Sequence, residues 1–296
     1  TLKGFSFFKN LILVNLNKYF FMKKIQMVDL QSQYYKIKAD VDNAVLNVID
    51  SAAFINGPEV KSFQTELEQY LDVKHVIPCA NGTDALQIAL MALDLKEGDE
   101  IITADFTFAA TVEVVHLLKL KSVLVDVDYD TFTIDIEKLK AAITPKTKAI
   151  IPVHIFGQCA NMEEVLKVAK EHGLFVIEDN AQAIGSDFIF SDGTVKKSGT
   201  MGILGTTSFF PSKNLGCYGD GGAIFTNDDE LAHKLRGIVN HGMYERYYHD
   251  EVGVNSRLDS LQATILRKKL PLLDGYNEAR RKAADYYDEA FAENPN

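Results

Sequence analysis

Short apolar runs alternate with longer patterns of helical periodicity from Lys74 onward. The apolar runs are expected to be strands, and they are His75–Pro78, Glu100–Thr103, Ser122–Asp126, Lys148–His154 and Leu174–Glu178. Helical patterns lie between them, at Ala85–Leu93, near Thr107–Leu118, at Asp135–Ile143 and at Asn161–His172. Strands that alternate with helices are joined by right-handed crossovers, so the pattern predicts an α/β fold with a mainly parallel sheet and helices on both faces.

The alternation changes after Glu178. Thr206–Phe210 and Gly222–Thr226 have the composition of strands but are separated only by a loop. A pair of strands without a crossover helix is expected to place one strand antiparallel in a mixed sheet. With these two, the sequence predicts seven strands in one sheet. Ligands of such sheets bind outside the carboxyl ends of the strands.

The C-terminal part of the chain has a helical pattern. Apolar residues fall on one helical face at Leu258, Leu261, Ile265, Leu266 and Leu270. Pro271 then begins a second helix, Leu272–Phe291, which is rich in Arg, Lys, Asp and Ala. We assign residues 22–270 to one large domain and residues 271–296 to the start of an incomplete C-terminal region.

Residues 1–21 differ from the rest of the chain. This segment contains aromatic residues and lysines, but no acidic residue, and the following Met22 resembles a natural start. Lys9 interrupts its apolar stretch, and no small-residue cleavage pattern follows, which argues against a signal peptide. We expect residues 1–21 to lie outside the functional protein, as a non-native or upstream extension. A membrane-surface anchor is the alternative.

Composition excludes several classes of protein. The chain has 31 Lys and Arg against 41 Asp and Glu, a net charge of −10, which argues against a nucleic-acid partner. No apolar run reaches the roughly 20 residues that span a bilayer, so no membrane partner is expected. Three cysteines, Cys79, Cys159 and Cys217, have no metal-ligand spacing. They indicate a reducing, cytoplasmic location, no disulfide framework and no metal.

Three loops that follow strands carry candidate chemistry. The first is Asn81-Gly82-Thr83-Asp84, between a strand and a helix. Glycine permits close approach of the backbone, and a helix N-terminus offers unpaired N–H groups to a phosphate. A simple N-cap at Asn81 or Thr83 is the alternative.

The second loop begins with two acids, Glu178 and Asp179, at the end of a very apolar strand. Acidic groups at that position are costly unless they meet a cation or hydrogen-bond donors. One carboxylate is therefore a candidate partner for a protonated ring nitrogen. A pair of helix-capping acids at the surface is the alternative.

The third loop contains Lys213, between Pro211 and a glycine-rich turn that runs to Gly222. Most lysines are solvated surface charges, but this one directly follows a strand in a constrained loop. A lysine whose pKa is lowered is a nucleophile and forms a Schiff base with a carbonyl.

The three loops together are suited to bind one ligand that has a phosphate, a protonatable ring nitrogen and an aldehyde. Pyridoxal 5'-phosphate has all three groups.

Six motifs in this order make the chain similar to a known family, the DegT/DnrJ/EryC1/StrS sugar aminotransferases, which are fold-type-I pyridoxal phosphate enzymes. The resemblance extends from about Met22 to Phe291. The motifs are Asn81-Gly-Thr-Asp-Ala-Leu86, Phe106-Thr-Phe-Ala-Ala-Thr111, Glu178-Asp-Asn-Ala-Gln182, Ser208-Phe-Phe-Pro-Ser-Lys-Asn-Leu-Gly216, Gly219-Asp-Gly-Gly222 and Gly253-Val-Asn-Ser-Arg-Leu-Asp259.

The resemblance implies the roles of two catalytic residues. Lys213 would hold the cofactor as a Schiff base and later move a proton between carbons. Asp179 would pair with the pyridinium nitrogen. The dehydratase branch of the family has a histidine where Lys213 stands, and a histidine cannot form the Schiff base. Lys213 therefore favours amino transfer over deoxygenation.

The resemblance also implies a set of binding residues. For the cofactor, the phosphate would be bound by Gly82, Thr83 and Ser208, the ring hydroxyl would lie near Gln182, and the pyridine face would stack on Phe108. Asn255 would reach the cofactor phosphate of a neighbouring subunit, which implies a homodimer with shared active sites. His241 and Arg257 are weaker candidates for the substrate sugar or its nucleotide, with a salt bridge or a structural cap as the alternative.

The function implied is transfer of an amino group, with glutamate as the expected donor, to a nucleotide-linked keto-sugar of surface polysaccharide synthesis, such as O-antigen. The segments Asn214–Gly222 and Gly253–Asp259 resemble enzymes that aminate the 3-oxo position of UDP-linked N-acetylated hexuronic acids. A 4-keto-sugar aminotransferase, another pyridoxal phosphate enzyme, and a catalytically inactive or regulatory relative are the alternatives. Family members continue past the position of Asn296 into a small C-terminal domain, which we therefore expect to be truncated or absent.

Overall fold

The computed structural model describes residues 26–294. The chain divides into two units between Lys36 and Ile37, and the sheet, its core and the cavities all belong to the unit that begins at Ile37. In chain order the helices are α1 (Leu30–Ser51), α2 (Pro58–Leu71), α3 (Gly82–Ala92), α4 (Ala110–Leu117), α5 (Ile136–Ala142), α6 (Met162–His172), α7 (Asp229–Ile238), α8 (Ser260–Lys269) and α9 (Leu273–Phe291). Short 3-10 helices are found at Ile155–Gly157 and Leu270–Leu272.

Seven strands form the main sheet, as the sequence predicts. They are β1 (His75–Cys79), β2 (Glu100–Ala104), β3 (Lys121–Val125), β4 (Thr147–Ile151), β5 (Phe175–Asp179), β8 (Leu204–Ser208) and β9 (Gly222–Thr226), and the remaining strands form two hairpins, β6 (Asp187–Ile189) with β7 (Val195–Lys197) and β10 (Met243–Glu245) with β11 (Tyr248–His249). Neither hairpin is predicted from the pattern, because strands of two or three residues leave almost no periodicity to detect.

The sheet has the strand order β1-β9-β8-β5-β4-β2-β3. β9 pairs antiparallel with both β1 and β8, and the other adjacent pairs are parallel. The expected mixed sheet is thus confirmed, with its one reversed strand inserted between two parallel ones. Because β1, β8 and β5 all point the same way, the loops after these strands emerge at the same edge of the sheet.

Side chains that alternate along each strand fill cores on both faces of the sheet. Ile101 of β2 packs in a core formed with α3, α4 and α7, whereas the adjacent Ile102 packs in a core formed with α5 and α6. A third core, with α2 and α8, lies against β1 and β9 and contains Phe63 and Phe225. This two-sided burial is the reason for the continuous apolar runs in the sequence, and it confirms the α/β architecture with helices on both faces.

Helix boundaries follow local capping chemistry. The side chain of Asp135 accepts hydrogen bonds from the N–H groups at the start of α5, and Asn161 does the same for α6. The helix expected near Thr107–Leu118 begins only at Ala110, and Thr107 and Phe108 before it line the cavity described below. Within residues 26–294 no helix is long and apolar enough to cross a membrane.

Candidate functional site

A cavity of about 710 Å³ opens where β1, β5 and β8 end. It brings together residues that are more than 130 positions apart in the sequence, from α3 to the loop after β8. Seven of the predicted site residues line it: Gly82, Thr83, Phe108, Asp179, Gln182, Ser208 and Lys213.

The start of α3 forms one wall of the cavity. The Asn81 side chain accepts from the N–H of Asp84 at 2.8 Å, and its carbonyl accepts from the N–H of Ala85. The N-cap considered as the alternative is therefore present at Asn81, and it leaves the N–H groups of Gly82 and Thr83 at the helix start beside the cavity. A Cβ on Gly82 would lie 2.6 Å from the Cβ of Ser208, so only glycine lets the backbone come this close to that strand end.

The two acids at the end of β5 lie in different environments. Glu178 is fully buried, and its carboxylate accepts four hydrogen bonds. The donors are the backbone N–H groups of Gly199, Met201 and Gly202 and the Nε2 of His154, at 2.6–2.8 Å. Glu178 is therefore a structural acid that ties the segment after β7 to β5, and it does not line the cavity.

Asp179 is 6% exposed and faces the cavity. Its Oδ2 accepts from the hydroxyl of Thr111 at 2.8 Å, and its Oδ1 accepts from the N–H of Ala181 at 3.2 Å. The Thr111 hydroxyl is itself 2.8 Å from that of Thr107. This network fixes the carboxylate while it still presents oxygen lone pairs to the cavity, which is the arrangement needed to hold a protonated ring nitrogen.

Lys213 lies across the cavity on the loop after β8. Burial lowers the pKa of its ammonium, and the negative charge of Asp179 opposes part of that effect. A lower pKa leaves more of the side chain as the neutral amine, which is the nucleophilic form. Its backbone N–H donates to the carbonyl of Phe210 at 2.8 Å. The side chain is therefore half-buried on an ordered turn rather than extended into solvent.

The remaining three predicted residues do not line this cavity. Asn255 is exposed, and its neighbour Ser256 is buried, where it accepts from the N–H of Ala80 and donates to Asp84. The cofactor role predicted for Asn255 in a neighbouring subunit stays a prediction.

His241 and Arg257 lie elsewhere. His241 is exposed and has a left-handed backbone, with φ 62°. Arg257 lines a separate cavity of about 320 Å³, together with Lys61 and Arg236. Their substrate roles also stay predictions.

Several residues of the site were not singled out from the sequence. Asp84, Thr107 and Asp220 line the cavity, and the buried Thr111 contacts Asp179. All four belong to motifs that carry the family resemblance. The hydroxyl of Thr111 is the most informative of these, because it holds the carboxylate of Asp179. Its position is decided by the packing of α4 against the sheet, which no local pattern reveals. In the described part of the chain no group of three or more His, Cys, Asp or Glu side chains is arranged to hold a metal ion.

Curated relatives cover most of this chain. A "UDP-2-acetamido-2-deoxy-3-oxo-D-glucuronate aminotransferase" of Pseudomonas aeruginosa is 49% identical over 264 residues, which are 89% of this chain and 72% of the relative. A "Pleiotropic regulatory protein" of Geobacillus stearothermophilus is 48% identical, over 91% of this chain and 71% of that protein. A UDP-N-acetyl-3-dehydro-alpha-D-glucosamine 3-aminotransferase of Acidithiobacillus ferrooxidans is 46% identical, over 90% and 70%.

Solved structures have the same fold. A DegT DnrJ EryC1 StrS aminotransferase from Brucella abortus matches with a TM-score of 0.87 and 43% identity, over 91% of this chain and 73% of that one. NtdA from Bacillus subtilis, solved with bound cofactor PMP, matches with a TM-score of 0.84 and 33% identity, over 92% and 61%. The sequence profile of the DegT/DnrJ/EryC1/StrS aminotransferase family matches residues 35–296. The family predicted from the motifs is therefore confirmed: this chain belongs to the DegT/DnrJ/EryC1/StrS aminotransferase family.

Proposed function

We propose that this protein is a pyridoxal phosphate-dependent aminotransferase that transfers an amino group, with glutamate as donor, to a nucleotide-linked keto-sugar. The observation that carries this proposal is the single cavity in which Lys213, Asp179 and the start of α3 face one another. Each of these groups fits a different part of one ligand, namely its aldehyde, its ring nitrogen and its phosphate.

The geometry of the cavity fits this cofactor. The close contact between Gly82 and Ser208 places helix N–H groups and a hydroxyl at one end, which is a suitable cradle for a phosphate. The Asp179 carboxylate retains free lone pairs toward the cavity, and the exposed ring of Phe108 offers an apolar face. Bound there, pyridoxal phosphate supplies an aldehyde and an electron-withdrawing ring that stabilises negative charge at a substrate carbon.

Each residue that lines the cavity has its own role in this proposal. Asp179 keeps a proton on the ring nitrogen, and the Thr111 hydroxyl holds Asp179 in place. Gly82, Thr83 and Ser208 would bind the phosphate, and Gln182 would interact with the ring hydroxyl. Gln182 is itself oriented, because its Oε1 accepts from the N–H of Phe156 at 2.8 Å.

Lys213 has two roles in this proposal. Its Nζ would hold the cofactor covalently, and burial, which lowers the pKa of Lys213, favours the neutral amine that this requires. Once free of that link, the same amine would accept a proton from one carbon and return it to another, as a general base and acid.

The substrate we propose is a UDP-linked 3-oxo sugar with an N-acetyl group, either a hexuronic acid or a hexose. Two relatives, at 49% and 46% identity, are named as aminotransferases of such 3-oxo sugars. The product would serve surface polysaccharide synthesis such as O-antigen, and we place the enzyme in the cytoplasm.

A second candidate function is regulatory. The relative at 48% identity is named a pleiotropic regulatory protein, so sequence similarity of this order does not distinguish an enzyme from a regulator. Lys213 and Asp179 in one cavity favour the enzyme, because a regulator has no need for both roles.

We further propose that the protein acts as a homodimer. Asn255 is exposed beside a segment that Ser256 fixes to Ala80 and Asp84. The backbone beside Asn255 is thus held against the start of α3 while Asn255 itself is exposed, which supports a contact with a second subunit. Sedimentation of the cofactor-loaded protein tests this, and a monomer with full cofactor occupancy would contradict it.

The test of the function is the visible absorption of the purified protein supplied with pyridoxal phosphate. We compare the native protein with Lys213→Ala and with Lys196→Ala, a control at an exposed lysine. The proposal expects a visible band in the native protein and the control that bleaches with glutamate, and no such band in Lys213→Ala. UDP-linked 3-oxo sugars are then added, and the amino sugar is detected by mass spectrometry.

The possible outcomes distinguish the proposed aminotransferase from its alternatives. An unchanged band in Lys213→Ala, or no band in the native protein, contradicts the assignment of Lys213. A band that bleaches with glutamate without amination of any 3-oxo or 4-keto nucleotide sugar favours the regulatory relative or another pyridoxal phosphate enzyme.

A further inference from the structure

Lys269, the last residue of α8, is a buried lysine outside the cavity. It is 1% exposed, and in the described part of the chain no carboxylate lies within ion-pair distance of its Nζ. Burial lowers the pKa of this lysine to about 8. A charged group without an opposite charge is among the most costly side chains to bury, and an apolar residue of similar size would be less costly.

The ammonium of Lys269 donates a hydrogen bond to the loop that carries Lys213. Its Nζ donates to the backbone carbonyl of Gly216 at 2.7 Å, and it lies 4.3 Å from the centre of the Tyr218 ring. Both residues belong to the loop after β8 that carries Lys213. The buried charge thus contacts that loop, and Lys269 itself does not line the cavity.

The loop is compact at this point. A Cβ on Gly216 would lie 2.3 Å from the carbonyl oxygen of Pro211, so the turn Pro211–Gly216 closes on itself around Lys213. Its near end is fixed by the hydrogen bond from the Lys213 N–H to the Phe210 carbonyl. Its far end is the Gly216 carbonyl, which Lys269 holds.

A second contact from α8 supports the same loop. The Oε1 of Gln262 accepts from the N–H of Tyr218 at 2.9 Å. Gln262 and Lys269 are seven positions apart, about two turns of one helix, so they hold the loop from one face of α8. The loop is anchored to a packed helix at two points rather than resting on local turns alone.

We propose that Lys269 is a positioning residue, whose buried ammonium holds the Gly216 carbonyl and thereby fixes the turn that presents Lys213 to the cavity. This inference rests on the function proposed above for Lys213. An uncharged residue of the same length would fill the space but leave the turn without its charged donor, and the Gly216 carbonyl without its partner.

The experiment uses the whole chain with pyridoxal phosphate and compares Lys269→Met with Lys268→Met, a control at the adjacent exposed lysine. Amide hydrogen exchange is measured for peptides over residues 209–222 and over α7. Because a hydrogen bond from a charged donor is lost, exchange in residues 209–222 of Lys269→Met is expected to be at least about tenfold faster, with α7 unchanged. Lys269→Arg is expected to recover part of the protection.

A spectroscopic measurement accompanies the exchange. At equal total cofactor, the visible band that reports the Lys213 linkage is expected to fall in Lys269→Met and to stay native in Lys268→Met. If Lys269→Met does not fold, both measurements are made on Lys269→Gln, which keeps a neutral donor on a shorter side chain.

Two results would overturn the proposal. One is exchange in residues 209–222 equal to that of the control, and the other is faster exchange spread evenly over all peptides, including α7, which indicates a general loss of stability. If the native protein itself shows no visible band, the function proposed for Lys213 fails, and the exchange comparison still decides whether Lys269 holds the turn.

Discussion

The two adjacent acids at the end of β5 allow a direct test of which residue stabilises the fold and which one takes part in the reaction. We consider two isosteric changes, Glu178→Gln and Asp179→Asn, which each remove one charge from neighbouring positions. The structure predicts opposite consequences. Glu178→Gln is expected to destabilise the fold, whereas Asp179→Asn is expected to lower activity strongly with little effect on stability.

The magnitude for Glu178 follows from its hydrogen bonds. Its two oxygens each accept from two donors, so an amide NH₂ in either orientation faces two N–H groups. The His154 ring does not adapt, because the N–H of Ala160 donates to its Nδ1 at 3.1 Å and the proton must therefore be on Nε2. Two hydrogen bonds to a charged acceptor contribute about 1.5–3 kcal/mol each, so the expected loss is about 3–6 kcal/mol.

Asp179 has fewer partners and an open side. In Asp179→Asn the amide oxygen still accepts from the Thr111 hydroxyl, and only the longer hydrogen bond from Ala181 is lost, which costs about 1 kcal/mol. The neutral amide no longer holds a proton on the ring nitrogen. Activity is then expected to fall by about a hundredfold or more, as it does when one electrostatic group is removed from an active site.

Urea unfolding and amino transfer are measured on the same preparations. The expected loss in Glu178→Gln is a large part of the roughly 5–15 kcal/mol that stabilises a native protein, and it lowers Tm by on the order of 10 °C. The reasoning is refuted if Glu178→Gln unfolds within about 1 kcal/mol of the native protein. It is equally refuted if Asp179→Asn retains native turnover.

Two further predictions concern the start of α3 and the end of α8. Gly82→Ala puts a Cβ 2.6 Å from that of Ser208, so we expect about tenfold weaker cofactor binding by absorbance titration; Gly275→Ala, where a Cβ meets nothing within 4 Å, should bind normally. Lys269 has a pKa of about 8 in the fold and an ordinary value of 10.5. Between pH 8 and 10.5 the unfolded chain therefore binds more protons than the native one. Over this range the free energy of unfolding is expected to rise with pH by roughly 3 kcal/mol relative to Lys269→Met. A pH-independent difference between the two proteins would contradict this.

Much of the fold could be predicted because burial on both faces leaves a strong pattern. The apolar runs that become β1, β2, β4 and β5 are visible without any structure, and so is the missing crossover before β9. The order of the strands is different, because nothing in the local pattern states that β9 inserts between β1 and β8. That arrangement depends on which strand edges remain free once the helices have packed.

Parts of the candidate site could be predicted where a lysine or a glycine follows the end of a strand. Lys213 after β8 and Gly82 at the start of α3 both stand out locally, and the family resemblance assigned roles to them. The sequence left open which acid of the pair faces a ligand until that resemblance was considered. Thr111 and Lys269 were missed, because each acts on a residue more than 50 positions away.

The sequence by itself determined the alternation of strands and helices, the family and the residue types available for chemistry, because these depend on local periodicity and on motifs. Only the tertiary structure decided that Glu178 points into the fold and Asp179 into the cavity. Successive residues of a strand point to opposite sides, but which side is filled by backbone donors and which opens to a ligand depends on the loops that pack there. For the same reason, only the folded chain places the buried charge of Lys269 against the turn that carries Lys213.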